Sequence, residues 1–297
     1  VWYVNGAEAL PYGNGSISAP YSMIGPAIGA AANGDTVHVA AATYVENIDF
    51  NGKNIAVIGA DRETTIIDGN QAGSVITFEN GEGATAVLSG FTLQNGSAES
   101  GGGGMYLSGS DPTITNVTIS GNTTSYHGGG MYIGGSDPTI TNVIITENTA
   151  STYGGGMYLL SSDPTITNVI ISGNTAGGSG GGIHCYISDP TITNVTIIGN
   201  TTNYRGGGIY CWQNSNPILL NTIIAGNESN QIEFDPSNNS NTITILYSNI
   251  EGGQDSIITN DNGTVTWGDG NVDIDPLFVD ADNGDYHLSD LSPVISA

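Results

Sequence analysis

The chain has 297 residues, with 28 acidic and only three basic side chains, so it carries a formal charge of −25 at pH 7. That field repels phosphate backbones and anionic lipid, which excludes nucleic acid and acidic membrane surfaces as partners and disfavours anionic polysaccharide unless a cation bridges. No run approaches the roughly 18 consecutive apolar residues of a membrane-spanning helix, so membrane insertion is not expected, and two cysteines do not make a disulfide scaffold. Few lysines amid much Asn, Thr and Gly fit an extracellular or cell-surface protein.

In chain order, the apolar stretch near Ser22 to Ala32 predicts a short helix, although Gly25-Pro26 interrupts it. Strands are expected around Val37 to Val39 and Ile55 to Ile58. From residue 101 the chain repeats. Triple glycines begin at Gly102, Gly128, Gly154, Gly180 and Gly206, a period of 26, and each copy reads like "GGGMYIGGSDPTITNVIITENTA", residues 128 to 150. Within a copy apolar residues alternate with period 2, and Gly, Asn and Asp-Pro break the alternation every few residues. A unit of three short strands cannot bury its apolar face alone, so copies must stack about 4.8 Å apart and share one core. Met105, Met131, Met157, Ile183 and Ile209 form one inward column, and Leu107, Ile133, Leu159, Cys185 and Cys211 form another.

These "GGGMY" and "PTITNVTISGNTA" phrases resemble the right-handed parallel β-helix of pectin-lyase-like fold, and in particular the repeats of polymorphic outer-membrane proteins and secreted bacterial surface proteins. The resemblance implies an all-β solenoid of about ten coils, on the order of 50 Å long, forming a single domain. Residues 1–70 would supply an N-terminal cap with its capping helix and the first coils, 71–227 the regular coils, and 228–297 irregular C-terminal coils expected to run on beyond Ala297. The fold hosts lyases, hydrolases, adhesins and passenger domains alike, so it does not by itself assign an activity.

Several polar and aromatic features are candidate sites or ladders. Tyr106, Tyr132, Tyr158, His184 and Tyr210 make an aromatic stripe that either stabilises the sheet or offers an exposed bed for a glycan. Two threonine columns, running from Thr113 and Thr115 to Thr191 and Thr193, resemble an ice-binding face. Asn116, Asn142, Asn168 and Asn194, and likewise Asn122, Asn148, Asn174 and Asn200, read as structural ladders at turns. Asp111, Asp137, Asp163 and Asp189 stack in register and need either backbone N–H groups or calcium between them. The acidic group Asp273, Asp275, Asp280, Asp282 and Asp285 is the other candidate Ca2+ site, and calcium is the one cofactor suggested. Cys185 and Cys211 share a column, as a disulfide or as two buried thiols.

An enzyme of this fold is expected to need a basic residue beside bound uronate, or clustered Asp pairs with His and a basic clamp. Lys53 and Arg62 lie in the cap region, Arg205 stands alone on the repeat, and Glu147 reads as an isolated carboxylate in the column of Ser120, Ser172 and Ile198. The regular coils carry no inserted loop. The sequence therefore points to a non-catalytic structural or adhesive module that binds carbohydrate or assembles with itself through open strand edges. A polysaccharide lyase or glycoside hydrolase and an ice-binding protein are the alternatives.

Overall fold

The computed structural model describes residues 1–7, 13–237 and 239–296. It is a parallel β-solenoid of about nine turns. Each regular coil follows one path, seen in the copy that begins at Gly128. Met131–Gly134 joins an eight-stranded sheet, Thr139–Thr141 and Ile144–Thr146 join two columns of an 18-stranded sheet, and Thr149–Ala150 joins a five-stranded sheet. Register is strict: Met105 pairs with Met131, Met131 with Met157, Met157 with Ile183 and Ile183 with Ile209. Both inward columns are fully buried, as period-2 alternation demands of a closed coil.

The triple glycines serve close approach. Gly154 has φ 66°, and a Cβ on Gly155 would lie 2.5 Å from the Gly181 carbonyl oxygen of the next coil. Corners elsewhere are single left-handed residues. Asn116, Asn142, Asn168 and Asn194 hold φ of 54° to 56°, which Asn tolerates better than most residues. Their exposed amides chain along the surface, Asn194 Nδ2 donating to Asn168 Oδ1 at 3.0 Å. The second Asn ladder is buried: Asn148 Nδ2 donates to Asn174 Oδ1 at 3.0 Å and to the Ile119 carbonyl at 2.9 Å, so its polar groups are satisfied inside the core wall. A serine ladder that the sequence reading overlooked, Ser110 to Ser136, Ser162, Ser188 and Ser215, does the same at the preceding turn. The Asp column follows the capping alternative, since each backbone N–H from Asp137 onward donates to the preceding Asp Oδ1 at 2.7 Å.

The expected helix is present but shorter, Ile24–Ala30. Pro26 does not break it because it lies in the first turn, where its missing N–H has no intrahelical partner to lose. Glu46 accepts from the N–H groups of Ile24 and Gly25, at 2.7 and 2.9 Å, while Lys53 Nζ donates to the carbonyls of Ile28, Gly29 and Ala31 at the other end. Both ends thus satisfy their free backbone groups with opposite charge.

Stacking ends with the strand Gly263–Trp267 and a bridge from Asn249 to Val272. The remaining chain does not add a coil. Phe278–Asp280 and Asp285–Leu288 form an antiparallel hairpin that lies back along the outer flank, where Tyr286 shares hollows with Ile144, Ile170 and Thr196. The continuation expected at Ala297 lies outside the described residues.

Glu147 is also re-placed. Ser120 pairs with Thr146, and Glu147 occupies the corner held by Gly121, Gly173, Gly199 and Gly226 in the other regular coils.

Candidate functional site

The aromatic stripe stands where the alternation puts it, on the outer face of the eight-stranded sheet. Tyr106 and Tyr132 stack at 5.1 Å with planes 9° apart, and the column continues through Tyr158 and His184 to Tyr210 at 5.1 to 5.6 Å per step. It is not a uniformly exposed bed. Tyr106 and Tyr132 are half-buried, whereas Tyr158, His184 and Tyr210 are buried. The loops that precede each triple glycine fold over the sheet and lay a second layer of rings on the first. His127 stacks on Tyr158 at 4.4 Å, Tyr126 on His127 at 3.6 Å and Tyr153 on His184 at 4.8 Å. Trp212 closes the layer edge-on to Tyr186 at 4.8 Å. The exposed area of this face therefore falls to the outer rings: Tyr126 and Tyr204 are 50% and 64% exposed, and Tyr153, Tyr186 and Trp212 are half-buried.

This burial sets the chemistry of the inner layer. Burial pushes the Tyr158 hydroxyl well above the ordinary phenol range, and burial together with the Asp235 carboxylate does the same to Tyr210. Burial lowers His127 to about 4 and His184 to about 3, so both rings are neutral at neutral pH.

The column has a member that sequence reasoning missed. Tyr210 pairs with Glu233, in a coil too short to keep the 26-residue spacing. Glu233 accepts from Asn230 Nδ2 at 2.9 Å, Asn260 Nδ2 at 3.2 Å and the Gly206 N–H at 3.3 Å, with Arg205 Nη1 at 3.5 Å. Two residues on, Asp235 accepts from the Tyr210 hydroxyl at 2.6 Å. Burial raises the Asp235 carboxyl, but hydrogen bonds from Ser237 and Tyr210 and the nearby Arg205 outweigh it and hold it below its ordinary range. A carboxylate held ionised in this way is a poor general acid. Aligning "NQIEFD" with "GGIYCW" reveals this acidic pair.

All three cations are engaged. Lys53 caps the helix, Arg62 contacts Glu63 at 3.3 Å and the Asn142 carbonyl at 3.2 Å, and Arg205 pairs with Glu233. The C-terminal acids are spread out: Asp273 accepts from the Gly252 N–H, Asp275 from the Leu277 N–H, Asp280 from Asn283, and Asp285 from His287, while Asp282 is exposed. Among the described residues no three acidic, His or Cys side chains group as metal ligands. Cys185 and Cys211 are register partners and both are buried free thiols. The threonine columns are in register and face outward, and they end at Ile218 and Leu220.

Several solved structures share this architecture. A pectate lyase aligns with 98% of this chain and 90% of its own at 17% identity and a TM-score of 0.53. A pectin methylesterase variant in complex with a hexasaccharide aligns over 98% of both chains at 11% identity and a TM-score of 0.51. A pectin methylesterase from carrot aligns over 90% of this chain and 88% of its own at 13% identity and 0.49. Curated protein sequences give no match. The family description "Right handed beta helix region" matches residues 35–203, which hold the first four of the five triple-glycine coils. With more than half of its length in that match and a parallel solenoid to carry it, the chain belongs to the right-handed β-helix family.

Proposed function

We propose that this chain is a secreted or cell-surface, non-catalytic structural or adhesive module that holds a glycan on its aromatic face. The observation that carries the reading is the outer ring layer. Tyr126, Tyr132, Tyr153, Tyr186, Trp212 and Tyr204 stay partly exposed along successive coils of one rigid sheet. Aromatic rings offer large apolar faces with little rotamer freedom to lose, which suits the C–H faces of sugar rings. The charge of −25 favours an uncharged glycan over a polyuronate. Glu233 and Asp235 already accept structural hydrogen bonds, which supports the non-catalytic reading.

The test is a polysaccharide binding panel run with calcium and with chelator. A neutral glycan should bind, and the double variant Tyr126→Ala/Tyr153→Ala should weaken it at least tenfold. Binding indifferent to both substitutions, or no binding across the panel, overturns the proposal. The in-register threonine columns favour ice binding as a second reading, for which inhibition of ice recrystallisation, lost in Thr165→Tyr, is the corresponding assay.

A further inference from the structure

Among the described residues, two buried side-chain atoms of the aromatic face, His184 Nε2 and Trp212 Nε1, lack a hydrogen-bond partner. Each such orphan costs roughly 1–3 kcal/mol. From these we infer that the fourth and fifth regular coils hold a closed subsite in which one hydroxyl of a neutral sugar bridges His184 Nε2 and Trp212 Nε1 beneath Tyr153. The inference rests on the glycan reading above and names the recognition residues.

The two orphan atoms define the ligand chemistry. His184 is fully buried and its Nδ1 faces the Ser179 carbonyl at 3.3 Å. Donation from Nδ1 assigns the proton there and leaves Nε2 as an acceptor. Burial keeps the ring neutral down to about pH 3, so that lone pair persists across the physiological range. The Trp212 indole N–H is only a donor. Its ring stands 6.1 Å from His184 at 82°, within one aromatic enclosure with Tyr153 and Tyr186. A carboxylate has no proton for Nε2 and an ammonium has no lone pair for the indole. A hydroxyl satisfies both at once.

The cover is a consequence of sequence. Loop positions that hold Tyr126, Thr152 and Tyr204 in other coils hold Gly178 in this one, and the position of His127, Tyr153 and Arg205 holds Ser179. The outer ring layer is therefore interrupted above His184, and Tyr153 from the preceding coil leans into the gap. A Cβ on Gly178 would meet the Tyr153 ring at 2.8 Å.

The experiment is a 15N NMR titration of the intact protein with methyl β-glucoside, methyl β-galactoside and methyl α-mannoside, and with any glycan that the binding panel yields. The indole resonance of Trp212, assigned with Trp212→Phe, and the imidazole Nε2 of His184 should move together and saturably with at least one of them, while the Trp2 and Trp267 indoles stay fixed. Trp212→Phe keeps a ring and removes the donor, and it should weaken binding of the panel glycan about tenfold. If a glycan binds through Tyr126 and neither resonance moves, the subsite is wrong and the glycan reading stands. If no glycan binds, both fall.

Discussion

Glu147 stands at φ 57° where Gly121, Gly173, Gly199 and Gly226 occupy the equivalent corners, so among these five corners it alone bears the left-handed strain of a residue with a side chain. Glu147→Gly should stabilise the protein by about 0.5–1 kcal/mol, the relief of strain exceeding the entropy that glycine adds to the unfolded chain. A urea midpoint that falls instead would show that the Glu147 side chain contributes more than the corner costs. A second residue-scale consequence concerns pH. Folding lowers His184 to about 3 from an ordinary value of 6.5, so below pH 6.5 the unfolded chain binds a proton that the folded chain refuses. Stability is then fully present above pH 6.5 and is lost as pH falls, by roughly 2 kcal/mol at pH 5 from this ring alone. His127 acts in the same direction. The urea midpoint of wild type should drop between pH 7 and pH 5, and His184→Phe should drop less; equal drops would contradict the account. The places of Tyr158 and His184 in the aromatic column were legible in the sequence. Their burial was not, because loops of variable sequence supply the covering rings, and burial of this kind is decided by tertiary contact.

Among the elements, the buried Asn ladder ties the coils together most directly. Asn174 accepts from the N–H and Nδ2 of Asn148 and donates to Asn200 and to the Ile145 carbonyl, at 2.9 to 3.0 Å throughout. Asn174→Ala leaves donors on Asn148 and the carbonyl of Ile145 unpaired inside the wall, and should cost about 3 kcal/mol or more by equilibrium unfolding. A loss below about 1 kcal/mol would mean that water replaces the amide there. The ladders were readable because Asn recurs every 26 residues at a turn, which fixes both its geometry and its neighbours. The helix was readable only in outline. Its ends depend on Glu46 and Lys53, which lie 16 or more residues further along the chain. The hairpin of residues 278–288 was misjudged as a coil for a related reason. It has strand-like composition but no partner in the stacking register, so it pairs with itself and lies on the flank.

At the scale of the whole molecule, repetition creates one long surface from one short phrase, and the loops decide what that surface presents. The regular coils keep walls of one pattern while the loop residues change from Tyr126-His127 to Thr152-Tyr153, Gly178-Ser179 and Tyr204-Arg205. Variation confined to one edge of an otherwise constant scaffold suits recognition of a polymer lying along it. The acidic break at Glu233 and Asp235 is where catalysis would have to reside if the account were wrong, and the sequence hid it because the coil is short. The most direct measurement is release of new reducing ends or unsaturated products from each polysaccharide that the protein binds, with calcium and with chelator. The account predicts binding without product under both conditions. Product release that Glu233→Gln or Asp235→Asn abolishes would contradict it and identify an enzyme.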